Sequence, residues 1–106
     1  MLEINNNKIL KLKDNIFLQK IEELEKYRAF NIDNGDYYTL NETSFWILEL
    51  ILKPKSIKEL FELFLSSYEI ETQIAKKDFL EILNNFYSNN LIEGGKKDER
   101  NKKEAL

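Results

Sequence analysis

"DNGDYYTLNETSFWILEL" runs from Asp33 to Leu50, and its reading decides the fold. Asn34-Gly35 suits the two central positions of a type I′ hairpin turn, because both residues tolerate positive φ. The register this turn predicts pairs Ile32 with Tyr37, Phe30 with Thr39 and Ala29 with Leu40. One face of the hairpin then carries Phe30, Ile32, Tyr37 and Thr39, and the other carries Tyr27, Ala29, Tyr38 and Leu40. Neither face is polar, so both call for cover. The helices supply one cover; the N-terminal strand, a second subunit or a ligand supplies the other. At Asn41 the strand runs straight into a helix, with the Asn side chain placed to accept a first-turn N–H.

Helix signals continue from this joint. Phe45, Trp46, Ile47, Leu48, Leu50, Ile51 and Leu52 leave only Glu49 polar, which predicts a buried helix near 42–52 with Trp46 in the core. Pro54 disfavours helical geometry at Lys53 and stops it. Ser56 and Glu59 form a capping box for a second helix near 57–68, whose stripe is Ile57, Leu60, Phe61, Phe64, Leu65 and Tyr68. A third helix is predicted near 74–89. One of its stripes is Ala75, Phe79, Ile82 and Phe86; a neighbouring one is Lys76, Leu80, Leu83 and Tyr87. Glu81, Asn84, Asn85 and Ser88 fall on its exposed side. Asn90 suits a left-handed helix end, with Leu91-Ile92 folding back. Upstream of the hairpin, residues 9–12 and 16–18 have strand character, and residues 21–24 have helical character.

Composition narrows the function. The chain has 106 residues, 42% of them hydrophobic, enough for one small core. It has no Cys and no His, which excludes disulfides, thiolate and imidazole chemistry and the usual N/S zinc sites. Glu22, Glu23, Glu59 and Glu62 could imitate paired carboxylates, but nothing places them in a cleft. No enzyme activity and no cofactor are therefore expected. No apolar run reaches the ~20 residues of a membrane helix, and "MLEINNNKILKLKD" lacks the form of a signal peptide. The expectation is a cytoplasmic protein without a membrane partner. Net charge is −3; residues 94–106 hold five Lys/Arg and three Asp/Glu, which leaves 11 against 16, or −5, for residues 1–93. That sign is a poor match for a phosphate backbone, so no nucleic-acid partner is expected. The expected division is a folded domain over 1–93 and a disordered charged tail over 94–106.

The ordered set "YYTLNETSFWILELI", "SIKELFELFLSSY" and "KKDFLEILNNFYSNNLI" resembles the PqqD-like family, the RiPP recognition elements. Leu40, Asn41, Ser56, Glu59, Leu60, Tyr68, Asp78, Ile82, Leu83 and Ile92 match the family pattern in order and spacing. Lys53-Pro54 and Asn90 depart from it at turn positions. The resemblance implies an α+β, winged-helix-like domain, with a three-stranded antiparallel sheet followed by three helices. It also implies a peptide-binding chaperone. Such a domain takes the leader of a ribosomally made precursor peptide as an added strand and presents it to a maturation enzyme, a radical SAM maturase or a protease. Carried onto this chain, the peptide would pair with Tyr37, Tyr38, Thr39 and Leu40 and rest on Lys76, Leu80, Leu83, Asn84 and Tyr87. The alternatives are a winged-helix DNA-binding regulator, which the acidic body opposes, and a dimerisation module built on the two-sided hairpin. Monomer and homodimer both remain open.

Overall fold

The computed structural model describes residues 8–67 and 71–94. Ten elements follow in order: β1 (Ile9–Leu12), β2 (Ile16–Ile21), a short 3-10 turn (Glu22–Leu24), β3 (Lys26–Asn31), β4 (Tyr37–Leu40), α1 (Glu42–Leu50), β5 (Lys55–Ser56), α2 (Ile57–Ser67), α3 (Thr72–Ser88) and β6 (Ile92–Gly94). The architecture is α+β. Strands β2, β3 and β4 form a three-stranded antiparallel meander in that spatial order, and three helices follow it. A second, smaller antiparallel sheet, β5-β1-β6, joins the start of the described chain to its end. β6 includes Gly94, so the folded part extends one residue beyond the expected boundary at 93. Tyr68 and residues 95–106 lie outside the described residues.

The hairpin differs from its expected form. The observed pairs are Tyr27↔Leu40, Arg28↔Thr39, Ala29↔Tyr38 and Phe30↔Tyr37, a slip of two residues. A type I′ turn needs positive φ at both Asn34 and Gly35, but only Gly35 has it, at 80°. Asn31 dictates the longer loop. Its Oδ1 accepts from the N–H groups of Asp33 (2.9 Å) and Asn34 (3.4 Å), and its carbonyl accepts from the Gly35 N–H (2.9 Å). This local Asx turn wins over the tight hairpin. Because the side-chain period of a strand is two, an even slip leaves every residue on its expected face.

The inner face of the meander packs Ile16, Ala29 and, half-buried, Leu18, Tyr38 and Leu40 against the helices. The outer face has no cover among the described residues. Of the first two strands, β1 is the central strand of the second sheet and β2 is an edge of the meander. Phe17, Ile32 and Tyr37 are each at least half exposed there, and the Arg28 guanidinium lies 4.6 Å from the Tyr37 ring centre.

The helices begin and end largely where their caps dictate. Asn41 Oδ1 accepts the Ser44 N–H at 2.8 Å. Ser56 and Glu59 bond reciprocally, at 3.0 and 3.3 Å. At the end of α3, the Leu91 N–H reaches the Phe86 carbonyl and the Asn90 N–H reaches Tyr87, with Asn90 left-handed at φ 59°. This Schellman closure buries Leu91 and Ile92 as expected. The core centres on Phe79 of α3, whose ring lies 5.2 Å from Phe61 and 5.4 Å from Phe64 of α2. α1 is less enclosed than its composition suggests. Phe45, Ile47 and Leu48 are buried, but Trp46 is only half-buried and Leu52, just past the helix, is 61% exposed.

Candidate functional site

β4 is an edge strand among the described residues, and its hydrogen-bond parity can be worked out. Asn31 N–H donates to the Asp36 carbonyl at 2.8 Å, so Asn31 and Asp36 occupy a bonded pair. Bonded and non-bonded pairs alternate in an antiparallel ladder. Tyr38 and Leu40 therefore bond inward to β3, while the N–H and C=O groups of Tyr37 and Thr39 point to the open edge. An edge of this kind templates another strand.

Where β4 ends, a groove opens between the β4–α1 joint and α3. It has a volume of about 340 Å³, within the usual size of a ligand cleft. Asn41 and Thr43 form one wall, Asp78, Glu81, Ile82 and Asn85 of α3 form the other, and Phe64 of α2 lies at its base. The rim is polar and the interior apolar: Phe64 is buried, Ile82 half-buried, and both carboxylates exposed. The capping bond of Asn41 and the packing of Phe64 against Phe79 hold the two walls in place.

The expected site residues separate into two groups. Tyr37, Tyr38, Thr39 and Leu40 lie together on the edge strand. The α3 residues do not join them. Leu83 has no exposed surface, so it offers nothing to a ligand. Leu80 and Tyr87 are seven residues apart on one flank of α3. At ~100° per residue, that flank is about half a turn from the groove wall. It faces the second sheet, where the Tyr87 hydroxyl donates to the Gly94 carbonyl. Burial pushes the Tyr87 phenol up to about 12 from its usual 10.0. Lys76 is exposed on the same flank, and Asn84 is exposed to solvent.

The groove wall was legible in part. Ile82 stands in the first α3 stripe, and Asp78 and Asn85 share its face at helical spacing. Choosing between the two flanks of the stripe required knowing which one meets α1, and that is a tertiary relation. Glu81 and Asn85, read as outward, do reach the surface, but they do so at the groove.

A meander running through an Asn cap into three helices, with an open third strand beside a groove, defines a class of small α+β domain. The profile of the family described as "Coenzyme PQQ synthesis protein D (PqqD)" matches residues 27–92, and the chain belongs to this family. The fold is also that of TbiB1, solved in complex with the TbiA(beta) leader peptide. That match has a TM-score of 0.69 and 19% identity and covers 83% of this chain and 99% of that one. A lasso peptide synthetase B1 complexed with the leader peptide matches with a TM-score of 0.65 and 20% identity, covering 79% of this chain and 96% of that one. No curated protein matches the chain. No helix among the described residues is long and apolar enough to cross a membrane.

Proposed function

We propose that the protein binds the leader segment of a ribosomally made precursor peptide and presents it to a maturation enzyme. The observation that carries this is the outward-pointing backbone of Tyr37 and Thr39 on an edge strand that leads into the groove at Asn41. Membership of the PqqD family and the two leader-bound neighbours of the same fold support it. The leader adds as a fourth strand of the meander. Its backbone bonds supply part of the affinity and the groove supplies the selectivity.

The magnitudes require both parts. Backbone hydrogen bonds gain only ~0.5–1.5 kcal/mol each over water, while ordering the segment costs ~2–5 kcal/mol. A micromolar complex needs about −8 kcal/mol net, so leader side chains must be buried as well, against the half-buried Ile82 of the groove wall. The chain then has no bond-making role; the chemistry belongs to the partner enzyme, a radical SAM maturase or a protease.

The test is a titration of the isotopically labelled chain with synthetic leader segments of candidate precursor peptides. The expected result is micromolar binding, with amide shifts at residues 37–40 and at Asp78, Glu81, Ile82 and Asn85. Shifts that avoid β4 altogether would overturn the reading.

A further inference from the structure

We infer that the groove selects leaders carrying a basic side chain, Lys or Arg, on the strand face turned toward α3. This rests on the strand-addition reading above and deepens it. An added strand carries alternate side chains on one face. Those on the inner face lie level with Tyr38 and Leu40, the half-buried residues of β4, and the next residue of the chain, Asn41, already lines the groove.

The groove has a definite sign. Its lining holds two carboxylates, Asp78 and Glu81, and no cation. The ion pairs of Lys11 with Asp14 and Glu93 lie well away in the sequence and neutralise neither groove carboxylate. The two carboxylates are three residues apart on one wall of α3, next to Ile82 and above Phe64. A Lys or Arg side chain fits this arrangement along its whole length: its methylenes cover Ile82, and its charged end meets the carboxylates. Asn41 adds little competition, since its Oδ1 is already engaged with the Ser44 N–H. An acidic leader residue at the same position meets like charge on a partly apolar surface, and that repulsion contributes to selectivity. Residues 1–93 have a net charge of −5, which also favours encounter with a cationic segment.

The experiment selects displayed random dodecapeptides on the full chain and on the Asp78→Asn/Glu81→Gln variant. Both substitutions are close in shape and lie at exposed positions. One synthetic peptide from the wild-type pool is then measured against both proteins, alongside its counterpart with the basic residue changed to Gln. The expected pool is enriched in Lys or Arg at one position, and the enrichment disappears on the variant. The selected peptide should bind the variant at least about fivefold more weakly at low salt, with the gap closing at high salt. Peptides that shift the amides of residues 37–40 but show no basic preference, or bind both proteins equally, overturn the charge selection and leave strand addition standing. Peptides that leave residues 37–40 unshifted overturn strand addition itself. Should the variant fail to fold, the Gln counterpart measured on the wild-type protein tests the charge preference from the peptide side: equal affinity for the two peptides overturns it.

Discussion

Asn31 and Asp36 face each other across the mouth of the hairpin, joined by a 2.8 Å bond from the Asn31 N–H to the Asp36 carbonyl. That bond sets the parity of the ladder, and the parity decides which residues of β4 present their backbone outward. The Asn31 side chain is 8% exposed and holds the loop through Asp33 and Asn34. Asn31→Ala is expected to destabilise the fold by about 1–2 kcal/mol, since it leaves loop N–H groups without their acceptor. Urea denaturation measures this. A loss below about 0.5 kcal/mol would show that the register is held elsewhere.

The ladder parity yields a sharper contrast between two neighbouring positions. Thr39 points its N–H outward, whereas Tyr38 donates its N–H to β3. Proline is tolerated on an edge strand where the lost N–H faces solvent, and costs heavily where it is paired. Thr39→Pro should keep the melting temperature within a few degrees and weaken leader binding at least tenfold. Tyr38→Pro should lower the melting temperature sharply. Equal behaviour of the two variants would contradict the assigned parity.

Tyr87 should respond to pH with a defined sign. Burial raises its phenol to about 12 in the fold, above the 10.0 it has when solvated. A raised pKa means the fold favours the neutral phenol. The contribution is therefore complete below pH 10 and is lost as the pH climbs toward 12. Tyr87→Phe also removes the bond to Gly94, at a cost of ~0.5–1.5 kcal/mol at pH 7. Denaturation at pH 7 and pH 11 should show the gap between wild type and variant narrowing at the higher pH. A constant gap would refute the assignment.

Gly94 is left-handed at φ 87°, and a Cβ there would collide with the backbone carbonyl of Ile9. Neither atom belongs to a flexible side chain. Gly94→Ala should separate β6 from β1 and lower the melting temperature by several degrees. An unchanged melting temperature would show that the second sheet contributes little.

What could be read in the sequence followed from how local each signal is. Asn41, Ser56-Glu59 and Asn90 act within one turn of chain, and each cap stands where its residue type implies. The face of each hairpin residue was legible because alternation survives an even slip. The register was not, because Asn31 competes with Asn34-Gly35 and the outcome depends on bonds that also involve Asn15. The edge-strand half of the candidate site followed from strand order. The helical half did not, because Leu80 and Tyr87 are apolar for a different reason: Leu80 packs against the core, and Tyr87 reaches β6, a strand of only three residues. Trp46 shows the same limit, since composition marks it as core while the packing of α1 leaves one side open.

The two sheets close on different scales. The meander pairs neighbours in the chain, while Leu10 meets Gly94 from opposite ends of it. Closing so long a loop must precede any gain from the bonds it permits. The meander and helices are thus expected to assemble first, with β1 and β6 joining last, and pulsed hydrogen exchange during refolding would display that order. It follows that the open edge of β4 is already formed while the chain's ends are still apart; under the proposed function a nascent or partly opened molecule can then engage a leader, and an engaged leader in turn lowers the population of chains that have not yet closed.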